Sequence, residues 1–266
     1  MPFVEARNLP SHVGIIMDGN GRWAQKRGLY RQEGHREGSQ AVRRTVRAAR
    51  RLGIRALTLY AFSEQNWARP GDEVEALMDL LREFLVSEHD EILLNGIRLN
   101  AVGNVTRLPG AVRAVLEPLR EESRGNDEMT LTLALSYGGR EEIADAAQEL
   151  AREVAAGRLR PEDVTVEALH ARIPSVAQSG DPDLIIRTGG ERRISNFLLF
   201  GAAYAELYFT DALWPDFGAD HLYAAIGSYQ ARERRYGLVG KPAELEVVEP
   251  LCDAPKEGAK VIRLAI

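Results

Sequence analysis

Short apolar runs alternate with longer stretches of helical periodicity along most of this chain, and that alternation leaves few folds open. Residues 13–17, 56–62, 97–102, 129–137, 184–187 and 207–209 read as strands, several of them apolar at nearly every position. Residues 35–52, 70 to about 94, 108–122, 140–156, 161–172 and 220–236 carry helical spacing, with Pro70 suited to a first turn. Strands without polar alternation are buried on both faces, which is the mark of a parallel sheet covered by helices. The expected fold is therefore α/β, with a central, mostly parallel sheet in a single domain spanning 1–237. Beyond it, 238–266 turns rich in Pro, Lys and Glu and reads as a C-terminal tail, with 261–266 as one edge strand. Ligands in such folds sit beyond the carboxyl ends of the strands.

The helix after Pro70 is more apolar than one packing stripe requires. Leu77, Met78, Leu80, Leu81, Phe84 and Leu85 cover a wide arc. Either the helix is buried on two sides, or one side packs on the sheet and the other lines an apolar cavity. Met129, Leu131, Leu133 and Leu135, alternate residues of one strand, are expected as a wall of that cavity.

Composition excludes several classes. A net charge of -5 argues against nucleic acid as a partner. The single cysteine, Cys252, permits no intrachain disulfide. Residues 1–12 contain no apolar run of signal-peptide type, and the most apolar later stretch, 197–205, is far short of the ~20 residues of a membrane span. A cytoplasmic location follows as the expectation, with peripheral contact at a membrane left open.

Five constellations carry chemistry. Asp18-Gly19-Asn20-Gly21-Arg22-Trp23 follows the first strand directly. Its glycines allow close backbone approach, Arg22 offers a planar fork for phosphate oxygens, and Asp18 makes sense beside phosphate if a divalent cation bridges the two. A polar turn closed by a capping Asp is the plainer account. Arg31 and His35, with Gly34 between them, stand at the start of the Arg-rich helix. Ser63, Gln65, Asn66, Trp67 and Arg69 gather after the second strand, as a ligand-orienting loop or as ordinary helix caps. Arg187, Arg193, Ile194 and Ser195 surround a later strand end and suit a second anion. Glu206 interrupts an apolar run, where a carboxylate needs either a metal or a salt bridge to an arginine.

The strings DGNGRWA from Asp18, GH at 34–35, NW-x-RP at 66–70, DLIIRTGGE from Asp183, RISNFLL from Arg193, YAELYF from Tyr204, LWPDF from Leu213 and RERRYG from Arg232 resemble the cis-prenyltransferase (isoprenyl transferase) family over about 9–237. The resemblance implies a parallel sheet with an apolar tunnel, usually in a homodimer. It implies condensation of isopentenyl diphosphate onto an allylic diphosphate such as farnesyl diphosphate. The product would be a long-chain polyprenyl diphosphate such as undecaprenyl diphosphate, a lipid-carrier precursor for the cell wall that is handed to the membrane. It further implies Mg2+ held by Asp18 and Glu206, with the allylic diphosphate at Gly19 to Arg22, Arg31 and His35. Isopentenyl diphosphate would lie at Arg187, Arg193 and Ser195, and Asn66 would accept the proton. One departure stands out. The family commonly has Ser-x-Glu-Asn-Trp, whereas Gln65 occupies the glutamate's place here and Glu64 lies one residue earlier, where its side chain should point the other way. A non-catalytic partner subunit of the same fold is the alternative, and a phosphatase using the same loops a further one.

Overall fold

A computed structural model describes residues 8–232. The order of elements is β1 (His12–Ile16), α1 (Asn20–Lys26), α2 (Arg31–Leu52), β2 (Ala56–Ser63), α3 (Gly71–Ser87), α4 (His89–Leu94), β3 (Ile97–Val102), α5 (Gly110–Glu122), β4 (Met129–Tyr137), α6 (Gly139–Ala155), α7 (Val166–His170), α8 (Pro174–Ala177), β5 (Leu184–Arg187), β6 (Glu206–Phe209) and α9 (Ala219–Gln230). The six strands form one sheet in the order β3-β4-β2-β1-β5-β6, parallel throughout. Every residue of β1 and β5 is buried, as their largely apolar sequences require, and the burial extends to His12 and Arg187 at their ends.

From β1 the chain moves to β2 on one side, while from β5 it moves to β6 on the other. The carboxyl ends of β1 and β5 therefore flank the point where winding reverses, the crevice in which open α/β sheets bind ligands. One side of the sheet carries the main core, in which Val13, Leu57, Leu59, Leu131 and Leu133 pack with side chains of α2, α3, α5 and α9. A smaller cluster gathers Ile16, Ala134, Tyr137 and Ile185 with Phe197 and Leu198, where Tyr60 stacks on Phe197 at 4.8 Å.

Some expected elements differ. The helix after Pro70 ends at Ser87, and α4 is a separate helix. Between them Glu88 is nearly buried and is paired with Arg43 on α2 at 2.7 Å, so the chain breaks where a charge is drawn inward. The helix expected over 161–172 is a single 3-10 turn at Pro161–Asp163 followed by the short α7, because Thr165 caps a new start by accepting the Ala168 N–H. Of the alternating residues on β4, Leu133 alone borders the cavity described below, and Met129, Leu131 and Leu135 belong to the core. The end of the last expected helix, 233–236, and the whole of 238–266 with its edge strand lie outside the described residues. Among the described residues no helix is long and apolar enough to cross a membrane.

Candidate active site

The loop from β1 to α1 is built on two glycines that nothing larger can replace. Gly19 has φ 114°, and a Cβ there would come within 2.9 Å of Leu213. Gly34, on α2, crosses α1 so closely that a Cβ would lie 2.1 Å from the Asn20 carbonyl oxygen. The loop is further pinned by its backbone. The Asp18 carbonyl accepts from Trp214 N–H (3.0 Å) and from Thr188 Oγ1 (2.7 Å), and the Asp18 N–H donates to Thr188 Oγ1 (2.9 Å).

Pinned in this way, the Asp18 carboxylate meets two guanidinium groups. Arg22 Nη2 lies 2.9 Å from Oδ1, and Arg187 Nη2 lies 2.9 Å from Oδ2. Arg187 is the last residue of β5, its side chain only 5% exposed, and it also donates to Ser195 Oγ at 2.7 Å and to the Arg193 carbonyl. The switch-point crevice thus brings together the side chains of Asp18, Arg22, Arg187 and Ser195 and the Arg193 carbonyl, from two segments widely separated in sequence. Ser195 and Asn196 have φ 48° and 64°, and this left-handed turn is tied to the start of α6 by Gly139 N–H donating to the Asn196 carbonyl. Arg193 points outward and pairs with Glu191 at 2.6 Å, while Ile194 packs against the smaller core cluster.

A cavity of about 170 Å³ opens beside this crevice. Its polar end is formed by Asn20, His35, Ser39, Asn66 and Arg69, and its apolar end by Leu77, Leu80, Leu81 and Phe84 of α3 with Leu133 of the sheet. The wide apolar arc of α3 therefore divides its work: Met78 and Leu85 enter the core, and the other leucines line the cavity. A second hollow of about 410 Å³, bordered by Asp18, Gly21, Arg22 and Arg31, lies on the other side of the loop.

Glu73, in the first turn of α3, escapes the sequence reading. Its carboxylate stands 3.0 Å from Arg69, 3.2 Å from Arg31 and 3.9 Å from His35 Nε2. It neutralises the cationic groups expected to hold an anion. Burial, together with the nearby Arg69 and Arg31 charges, pushes His35 down to about 4 despite Glu73, so the imidazole is neutral. A depressed base binds fewer protons folded than unfolded between its folded value and its ordinary 6.5. Stability is therefore expected to fall as pH drops from about 6.5 toward about 4, by on the order of 3 kcal/mol, and His35→Asn should flatten this slope in urea unfolding. Equal slopes for the two proteins would remove His35 as the cause.

Ser63 and Asn66 cap each other across the 3-10 turn Glu64–Ala68, Asn66 Oδ1 accepting the Ser63 N–H at 3.1 Å. The capping and ligand-facing accounts coexist, since Asn66 also lines the cavity. Several expected residues are elsewhere: Ser63, Gln65 and Trp67 line neither hollow, and Gln65 is exposed. Trp23 lines neither hollow: its indole donates to Asp216 at 2.7 Å and lies under the Arg27 guanidinium. Glu206 opens β6, level with Leu184 and Val13 at the amino end of the sheet, about 10 Å along the strands from the level of Ile16 and Arg187. Its carboxylate pairs with Arg232, one of the two accounts the sequence offered for it. Within one chain it does not share a centre with Asp18.

Three buried polar atoms around the crevice have no hydrogen-bond partner among the described residues: Asn20 Oδ1, His35 Nε2 and Arg187 Nε. Buried polar groups are ordinarily paired, and orphans gathered at one place mark a ligand site. No group of three or more His, Cys, Asp or Glu side chains able to cage a metal occurs among the described residues. A magnesium ion needs no such cage, since one carboxylate and substrate phosphates suffice, so Asp18 fits that ion.

These features define a class: an α/β protein that gathers one carboxylate and two guanidinium groups at its switch point, beside a cavity with an apolar wall. The family model described as "Putative undecaprenyl diphosphate synthase" matches residues 16–237, and the chain belongs to that prenyltransferase family. An isoprenyl transferase of Rhizobium meliloti (strain 1021) is 49% identical over 235 residues, covering 88% of this chain and 95% of that protein. A ditrans,polycis-undecaprenyl-diphosphate synthase, (2E,6E)-farnesyl-diphosphate specific, of Xanthomonas axonopodis pv. citri (strain 306) is 47% identical over 230 residues, covering 86% and 89%. The crystal structure of lavandulyl diphosphate synthase from Lavandula x intermedia, in complex with dimethylallyl diphosphate, aligns with a TM-score of 0.84 at 38% identity, covering 86% of this chain and 98% of that one.

Proposed function

We propose that this prenyltransferase elongates an allylic diphosphate, farnesyl diphosphate in the first instance, by successive condensations with isopentenyl diphosphate that each leave a cis double bond. The observation that carries the reading is the meeting of Asp18, Arg22 and Arg187 at the switch point, next to a cavity whose far wall is apolar. In each cycle the allylic C–O bond breaks and diphosphate departs. The alkene of isopentenyl diphosphate then forms the new C–C bond, and a proton is lost.

The chain's own residues supply most of what that sequence needs. Arg22 and Arg187 neutralise the departing diphosphate, a charge that grows in the transition state. Arg31, His35 and Arg69 hold its outer oxygens once these exchange with Glu73. Arg193 and Ser195 hold the diphosphate of isopentenyl diphosphate. Asn66 is the candidate acceptor of the proton, its amide held by the Ser63 N–H. Mg2+, when bound by Asp18 and the phosphate oxygens, supplies further neutralisation of the leaving group. Apolar lining from α3 favours a growing tail, at roughly 0.8 kcal/mol for each methylene removed from water.

The cavity is smaller than the ~300–1,000 Å³ usual for ligand pockets. A long product therefore requires the α3 wall to yield. Leu81→Trp, which fills the apolar end, is expected to shift products toward shorter chains in mass spectra of the extracted lipid; an unchanged distribution would remove α3 from the length-setting role. A homodimer is part of the proposal, since β6 is an edge of the sheet and exposes Leu207. So is release of the product at a membrane surface from a cytoplasmic enzyme.

The test is incubation of the purified protein with magnesium, labelled isopentenyl diphosphate and farnesyl diphosphate. Elongated polyprenyl diphosphate is expected. No elongation would favour a non-catalytic partner subunit, and phosphate release without elongation a hydrolase.

A further inference from the structure

The displaced acid at position 64 has a place of its own. Gln65 is turned out to solvent, whereas Glu64 faces inward. Glu64 Oε2 accepts from Ser136 Oγ at 2.8 Å, and Ser136 Oγ accepts from the Trp67 indole N–H at 2.8 Å. A serine hydroxyl carries one proton and an indole N–H can only donate. Ser136 can serve Trp67 only if its own proton goes to an acceptor, and Glu64 is that acceptor. The other oxygen, Oε1, pairs with Arg107, whose guanidinium lies 4.6 Å over the Trp67 ring. Phe62 meets the same ring edge-on at 4.9 Å. The indole is thereby fixed at its N–H, at one face and at an edge. Its neighbours Asn66 and Arg69 line the cavity; Glu64 does not.

We infer that Glu64 is a positioning residue for the condensation: through Ser136 and Arg107 it fixes Trp67, and with it the segment that presents Asn66 and Arg69 to the substrates. This rests on the elongation reading above. A neutral amide cannot replace it, because turning the amide oxygen toward Ser136 points the NH₂ at Arg107. Glu64 does not line the cavity, so it is assigned to positioning and not to the proton transfer.

The experiment compares wild type, Glu64→Gln, Glu64→Asp, Arg107→Gln and the Glu64→Gln/Arg107→Gln double variant. In steady-state elongation Glu64→Gln is expected to lower kcat by about tenfold with a smaller rise, about two- to threefold, in KM for farnesyl diphosphate, since Arg69 is displaced while the Arg22 and Arg187 contacts are untouched. Glu64→Asp, which keeps the carboxylate, should recover kcat to within about threefold, and the double variant should be no worse than Glu64→Gln. Fluorine NMR of protein carrying 5-fluorotryptophan reads the mechanism separately. The chain has three tryptophans, so three resonances are expected, and only that of Trp67, assigned with Trp67→Phe, should shift in Glu64→Gln. A kcat for Glu64→Gln within about twofold of wild type, or an unmoved Trp67 resonance, overturns the inference. If wild type itself does not elongate, the elongation reading fails, and the fluorine spectra still decide whether Glu64 fixes Trp67.

Discussion

Asp18→Ala is expected to lower kcat for elongation by at least a hundred- to a thousandfold, the scale for removing a principal source of transition-state charge stabilisation. The fold should survive. The contacts that hold residue 18 in place are made by its backbone, to Trp214 and Thr188, and remain available to alanine. The side chain's loss leaves the partly exposed Arg22 with its bond to the Gly189 carbonyl, at little cost. Arg187 loses a counter-charge but keeps Ser195 and the Arg193 carbonyl, so a destabilisation of about 1–3 kcal/mol is the expected bound. The measurements are single-turnover elongation and a urea unfolding curve on the same preparation. Turnover within about tenfold of wild type would take Asp18 out of the chemistry.

Arg187→Met is expected to damage both properties. Arg187 sits inside the end of β5 and contacts Asp18, Ser195 and the Arg193 carbonyl at once. Methionine fills similar space but makes none of these contacts, leaving the partly buried Asp18 carboxylate with Arg22 alone. A loss of about 2–4 kcal/mol in stability is expected, with elongation reduced by about a thousandfold. Arg187→Lys separates the two effects. It restores a charge but not a planar fork with several fixed donors, so stability should largely return while kcat stays low. A lysine variant as active as wild type would show that charge alone suffices there.

The sheet was legible from sequence because its strands are short, apolar and evenly spaced by helices, and the register then carried Asp18 and Arg187 to one crevice. The features that escaped have a common cause. Glu73 looks like any acid in a first helical turn, where the helix dipole already accounts for it. Its proximity to Arg31 and His35 is a property of how α2 and α3 pack, and no local pattern encodes that. The break at Glu88 depends on Arg43 from another helix in the same way. Glu206 was legible only as a choice between a metal and an arginine partner. Its apolar neighbours suggested a buried charge, but β6 is an edge strand and leaves the carboxylate within reach of Arg232. The shift from glutamate to Gln65 looked like a loss, and only the turn of the 3-10 segment shows Glu64 facing Ser136.

The contact between Gly34 and the Asn20 carbonyl has a mechanical consequence. With only a hydrogen between them, α1 and α2 have no slack along their crossing, and the phosphate-gripping loop behaves as an anvil. Across from it, the cavity side of α3 carries leucines that are only half enclosed. If a product outgrows the space, α3 is therefore the wall expected to give, leaving the charged end where the next bond is made in place.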